Sequence, residues 1–307
     1  MGLCEGKKRI PGWAEAEQLP QEWELYKRLI EGVPEGIGVR DVLVGNHWAI
    51  VEAESGCGMA MIVSGGMGTY GLYPQALHME LRDLAAQCVS WNFLEASVGV
   101  AALNAWYSTP ENAAAAGMKI EEKGSNDGFE LYRRLCAGKR VCVVGHFPLI
   151  ERLADECELS ILERAPQAGD YPDPACEYII PHQDYLFCTG ITLTNKTMPR
   201  LLQLSRESQG STILVGPSVV PSPILYDYGV DCMAGSVIID PERAKAAVMH
   251  AATSGIFSHG VQKMRVERPG WLDSDDNGAS RNELHPGSWT ERIAQTPLRT
   301  SSRFTLA

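Results

Sequence analysis

The second half of this chain alternates short, almost continuously apolar runs with helix-patterned segments, and no other feature constrains its fold as strongly. Arg140 to Gly145, Leu159 to Glu163, Tyr185 to Thr189, Thr212 to Gly216 and the run Val230 to Ile239 read as strands. Helical patterns over 129 to 136, 149 to 155, 198 to 205 and 241 to 253 fall between or beside them, and a last strand lies near Val261 to Val266. Strands without a polar face are those covered on both sides, so the order predicts a mainly parallel, Rossmann-like sheet over residues 125 to 268.

The first half is patterned differently. Residues 22 to 31 place apolar side chains at helical spacing until Gly32 and Pro34 stop them. Three β-prone runs follow, Val39 to Val44, Trp48 to Glu52 and Met59 to Val63, separated by Gly45-Asn46 and Ser55-Gly56, which suit an antiparallel meander. Gly65-Gly66 and Gly68 then make a mobile or close-approach loop. Helices are expected over 79 to 88 and 93 to 107, and in the second Ala96, Gly99, Ala101, Ala102 and Ala105 let another backbone come close. Thr109-Pro110-Glu111 supplies a cap, a first-turn proline and an acid for one more helix. This is an α+β domain over 20 to 117, and the polar stretch from Gly117 to Gly128 is the expected boundary. From 269 to 307 the apolar periodicity disappears, and a disordered or loosely docked tail is expected.

A chain of 307 residues with two such patterns suits two domains. Its net charge of -11 repels a phosphate backbone, and the longest basic run, Lys7-Lys8-Arg9, is a short solvated patch, so nucleic acid is not an expected partner. The nine cysteines include no C-x-x-C pair and sit singly, several within apolar runs, which is the usage of a reducing compartment. Neither an export signal nor a lipid anchor is read in the N-terminal residues, and no apolar run is long enough to span a membrane. A cytoplasmic protein is expected, and a homo-oligomer is admitted.

Ligands of open parallel sheets bind beyond the carboxyl ends of the strands, where strand order reverses, so the informative residues follow strands. Gly145-His146-Phe147-Pro148 is the first candidate: glycine permits a tight turn and Pro148 suits a helix start that would face a ligand anion. Glu163 ends the next strand at about the spacing of a ribose-binding acid, although a solvated or paired role fits it equally. The glycine fingerprint of dinucleotide sites is absent, which disfavours a nicotinamide cofactor. Thr189 and Asn195, in the connection Thr189-Gly190 to Thr197, offer polar groups to a ligand, with helix capping by Thr194 or Asn195 as the alternative. Gly216-Pro217-Ser218 is a stiff loop after a further strand. In the first domain Asn104 is an amide among small residues and is either a ligand group or a structural one. Glu52 and Glu95 are acids in apolar surroundings, ranked below the strand ends. No zinc spacing is present, Cys176 and His182 being isolated, and no nucleophile elbow occurs. No dedicated metal site, catalytic residue or cofactor is assigned.

Ser90-Trp91-Asn92-Phe93-Leu94-Glu95-Ala96-Ser97, Gly145-His146-Phe147-Pro148, Thr194-Asn195-Lys196-Thr197 and Gly216-Pro217-Ser218, in that order, resemble the DUF364 proteins with their companion DUF4213 domain over roughly residues 22 to 266. The resemblance implies an α/β protein in which an enolase N-terminal-like domain precedes a Rossmann-like one with partial likeness to methyltransferases, and a site between them. It also implies a role in heavy-metal chelation, through condensing or hydrolysing a pterin-, flavin- or siderophore-like metabolite. On this reading the partner is a small polar molecule, including a metal chelate, bound by Asn104, Gly145, His146, Phe147, Pro148, Glu163, Thr189, Asn195, Gly216, Pro217 and Ser218. The acid or base would be His146 or an acid such as Glu95. A non-catalytic carrier or sensor of a chelate, and an S-adenosylmethionine-dependent methyltransferase-like enzyme, are the alternatives.

Overall fold

The order of strands in the larger sheet sets the geometry of everything else. The computed structural model describes residues 21–65, 71–72, 75–121, 127–147 and 150–272. In chain order the strands are β1 (Val39–Val44), β2 (Trp48–Ala53), β3 (Gly56–Met61), β4 (Lys119–Ile120), β5 (Arg140–Val144), β6 (Glu158–Glu163), β7 (Tyr171–Pro172), β8 (Tyr185–Thr189), β9 (Ser211–Val215), β10 (Cys232–Ile238) and β11 (Val261–Glu267). The helices are α1 (Glu24–Glu31), α2 (Leu81–Ala85), α3 (Phe93–Tyr107), α4 (Pro110–Ala115), α5 (Asp127–Cys136), α6 (Cys176–Ile179), α7 (Ile191–Thr194), α8 (Met198–Ser208) and α9 (Pro241–Met249).

The three early strands form the expected antiparallel meander in the order β1-β2-β3, with Val51 opposite Val42 and Gly58. The larger sheet runs β4-β11-β10-β9-β8-β5-β6-β7. Its strands from β10 to β7 are parallel, while β11 runs antiparallel to both of its neighbours, β10 and β4. The chain passes from β5 outward to β6 and β7, then returns to β8 on the other side of β5. Strand order therefore reverses between β5 and β8, past Val144 and Thr189, the kind of position at which open parallel sheets bind ligands. This is the mixed α/β architecture with a mainly parallel sheet that the apolar runs predicted.

Two expectations about local structure are corrected. Where a helix is anticipated over 149 to 155, the described residues form only a 3-10 turn, Ile150–Leu153, and among them no helix N-terminus of useful length follows β5. The polar linker near Gly117 to Gly128 contributes β4, which pairs with β11 and extends the second sheet. Pro148, Gly66, Gly68 and the tail beyond 272 lie outside the described residues.

Small residues in α3 let the meander and a neighbouring turn approach its backbone. A β-carbon at Gly58 would fall inside the contact radius of backbone atoms of Ala101, Asn104 and Ala105, and one at Gly99 would collide with the backbone of Gln87 and Cys88. The other face of the meander packs on the second half: Trp48, Ile50, Cys57 and Met59 join Ile238, Ala244, Val248 and Val261 in one apolar cluster. A larger buried cluster runs from Leu25, Leu29 and Val98 through Leu193 and Met198 to Val144 and Leu214, so the apolar core is continuous between the halves. Polar contacts reinforce it. Tyr26 donates its hydroxyl to the Leu193 carbonyl at 2.8 Å, Trp48 Nε1 donates to the Thr253 carbonyl at 3.1 Å, and the backbone N–H of Met61 donates to Ser218 Oγ at 2.8 Å.

Candidate functional site

Beyond the carboxyl ends of β5, β6, β8 and β9 the chain makes four adjacent turns. Gly145 has φ of 101°, a left-handed value that favours glycine, and an added β-carbon would press on the Thr189 side chain at 3.3 Å. Gly216, with φ of 105°, is the equivalent residue after β9. The Phe147 ring lies against both glycines, with ring atoms 3.8 and 3.9 Å from where their β-carbons would be. Gly145, Phe147, Thr189 and Gly216 are thus brought together around the reversal point.

Glu163 is drawn to the same place, and its carboxylate is engaged by backbone. One oxygen accepts from the His146 N–H at 3.0 Å, and the other accepts from Arg164 N–H at 2.7 Å and Ala165 N–H at 3.4 Å. It ties the ends of β5 and β6 together and is not presented as a ribose-binding acid. The His146 ring is oriented by Asp170, whose carboxylate oxygen is 3.3 Å from Nδ1 while also accepting from the Gln167 N–H at 2.9 Å. The Asp170 side chain is only 3% exposed. With the proton on Nδ1 the lone pair sits on Nε2, the form in which imidazole accepts a proton.

Other predicted residues have local work. Asn195 Oδ1 accepts from the backbone N–H and hydroxyl of Thr197, at 3.1 and 2.7 Å, closing a turn before α8. Ser218 is buried and accepts from Met61, while Pro217 accepts at its carbonyl from Ser236 at 3.5 Å. Asn104 is not brought to the strand ends. Its amide donates to the Met59 carbonyl and accepts from the Ser108 hydroxyl, both at 2.9 Å, and it is buried inside the first half. Glu95 accepts from the Ser90 hydroxyl at 2.7 Å and the Gly71 N–H at 3.3 Å, and Glu52 pairs with Lys245 at 2.8 Å.

The first half reaches the strand ends through Phe93, which sequence reasoning did not select as a site residue. Phe93 opens α3 behind the capping side chain of Asn92. Arg164, following β6, places its guanidinium carbon 5.8 Å from the Phe93 ring centre, and Lys196, following α7, places its ammonium at 5.7 Å. Burial pushes the Lys196 amine down to about 8. Arg164 and Asp170 come from the β6–β7 connection and Lys196 from the α7–α8 connection, with no shared spacing; the only cue was that each connection follows a strand or short helix at this edge. A separate groove of about 350 Å³ lies between α1 and α8, with Leu25, Leu202 and Tyr228 in its walls, and includes none of these residues.

Burial pushes Cys57, Cys88, Cys136, Cys188 and Cys232 up to about 12, so they are protonated at neutral pH. Among the described residues no three His, Cys, Asp or Glu side chains cluster closely enough to hold a metal ion, and no helix is long and apolar enough to cross a membrane.

Comparisons with known proteins agree with this architecture. The DUF364 family model, described as "Putative heavy-metal chelation", matches residues 127–267, and the DUF4213 model, with the same description, matches residues 26–107. A solved structure of a DUF364-family protein of unknown function from Desulfitobacterium hafniense is 35% identical, with a TM-score of 0.74, over 80% of this chain and 99% of that one. Another from Pyrococcus horikoshii shares the fold at 19% identity and a TM-score of 0.62, over 80% of this chain and 99% of that one. An uncharacterized protein of Methanocaldococcus jannaschii, MJ0500, is 28% identical over 199 residues, 62% of this chain and 73% of its own.

Proposed function

The chain belongs to the DUF364 family, and from that premise we propose that it binds, and chemically modifies, a small polar metabolite connected with heavy-metal chelation. The site is the crevice beyond β5 and β8, closed by Phe93 from the first half. The observation that carries this reading is the convergence, at the reversal of strand order, of an Asp170-oriented His146 with two cations that face Phe93. Among the described residues no His, Cys, Asp or Glu cluster offers a metal site, and in this proposal the chelating groups belong to the metabolite, a pterin-, flavin- or siderophore-like molecule.

In this role His146 takes or returns a proton of the bound ligand, Asp170 holds the ring, and Glu163 keeps the turn in place. Mass spectrometry of small molecules released from the purified protein tests the reading. One chelating metabolite recovered from wild type and lost from a variant that fills the crevice, G216F, supports it; recovery that ignores this substitution overturns it.

A carrier that binds the same metabolite without turnover is favoured by one observation: Glu52, Glu95 and Glu163 are all engaged in ion pairs or hydrogen bonds, so none of these acids is presented for proton transfer. Recovery of unmodified ligand after long incubation separates carrier from enzyme. Methyl transfer is tested by calorimetry with S-adenosylmethionine, where absence of heat removes it.

A further inference from the structure

Lys196 and Arg164 stand out because they converge on one aromatic ring with no carboxylate partner among the described residues. The chain has 38 acidic and 27 basic side chains, and its other ordered cations commonly find carboxylates: Arg140 takes Asp184, Arg200 takes Glu177 and Lys245 takes Glu52. Lys196 and Arg164 pair with none among the described residues. Among the described residues the Lys196 ammonium has one hydrogen bond, to the Thr194 carbonyl at 2.6 Å, which leaves two of its three protons without an acceptor there. Both cations nevertheless lie within 6 Å of the same ring centre.

This placement is not a relaxed one. Lys196 has φ of 72°, a left-handed conformation that residues with a β-carbon avoid, and such strain persists where surroundings or function over-determine a position. Two like charges near one ring repel, and a partly desolvated ammonium lacks the water that would stabilise it. Burial accordingly lowers its affinity for a proton. An anion that reached both groups would offset the repulsion and give each a charge-assisted hydrogen bond, with the planar guanidinium suited to two oxygens at once.

We propose that Lys196 and Arg164 hold an oxyanion of the bound metabolite, a carboxylate or a phosphate, against Phe93. The inference rests on the reading of this crevice as a metabolite site and narrows the ligand to an organic anion.

The test uses the full chain with its lysines carrying 13C-methyl groups, the Lys196 resonance being the one absent from K196Q. Inorganic phosphate, citrate and, as a neutral control, glycerol are titrated in separately. A saturable shift of the Lys196 resonance with phosphate but not citrate assigns the site to phosphate, and the reverse assigns it to carboxylate. Glycerol is expected to do nothing. R164Q, a change on an exposed side chain, should weaken the response about tenfold or more, and R164K should recover part of it.

No response to either anion, or wild-type binding by R164Q, overturns the proposal. The two readings fail separately. A metabolite that copurifies equally with wild type and with K196Q/R164Q removes the oxyanion role while leaving the crevice as its site. Anion binding that depends on Lys196 and Arg164, without any copurifying metabolite, supports the oxyanion site and counts against the wider reading.

Discussion

The backbone N–H of His146 donates to the side chain of Glu163 at 3.0 Å, across the ends of two neighbouring parallel strands. The turn that carries the imidazole is therefore held by a residue 17 positions away in sequence. Glu163→Ala removes an acceptor shared by three N–H groups and is expected to cost about 1–3 kcal/mol. Hydrogen exchange at the His146 amide should accelerate while β5 itself stays protected. Glu163→Gln, which keeps one acceptor oxygen, should fall between the two.

Asn104 predicts an effect on stability rather than binding. Its amide satisfies a carbonyl of β3 and a hydroxyl at the end of α3. Asn104→Ala leaves both partners buried and should lower unfolding free energy by about 2–3 kcal/mol in urea titrations. Ligand affinity per folded molecule should be unchanged; a large loss of affinity in fully folded protein would return Asn104 to the site.

The sign of the Lys196 effect on stability follows from its lowered affinity for a proton. The amine is held near 8 in the folded protein against 10.5 for the free side chain, chiefly by desolvation, with the nearby Cys88 acting in the opposite direction. Between those values the unfolded chain binds a proton that the folded one lacks, so this contribution to stability rises with pH from about 8 to about 10.5. Below that window both states are protonated and the buried charge is penalised in full. The difference in unfolding free energy between wild type and K196Q should move in favour of wild type by about 1–3 kcal/mol across the window. A flat difference would show that the ammonium is hydrated.

Cysteine labelling tests the protonated-thiol picture. In the C4S background, which removes a cysteine outside the described residues, an aromatic disulfide reagent should react first with Cys157 and Cys176, the partly exposed pair. The buried cysteines should react only at the rate of global unfolding. Cadmium at neutral pH should not protect those buried sites, because each would have to lose a proton that burial holds to about 12.

The sequence makes β1, β8 and α3 legible at their observed boundaries because each is a run whose pattern is interrupted at both ends by glycine, polar residues or a capping side chain. Two-residue β4 and β7 carry too little pattern to read, and Ile150–Leu153, within the helix expected over 149 to 155, forms only a 3-10 turn. The location of the candidate site follows from topology, since residues just past apolar strands must gather at one edge. Its composition was harder. Asn104 and Asn195 looked like ligand groups, yet their amides satisfy Met59, Ser108 and Thr197, pairings set by folded distance and not by spacing. Phe93, Arg164 and Lys196 meet from three segments, and Asp170 reaches His146 from the β6–β7 connection; single-sequence periodicity has no means of joining them.

Ser218 occupies an unusual post: its hydroxyl receives the N–H at the last residue of β3, on the outer strand of the meander, from within the turn that follows β9. An outer strand with unsatisfied N–H groups invites pairing with another chain, and here that vacancy is filled from the opposite half. Exchange of one half for that of a distant relative would thus reopen a sticky border as well as mismatch the apolar seam. Such hybrids should aggregate before they lose secondary structure, and the two halves are inherited, in physical terms, as one indivisible piece.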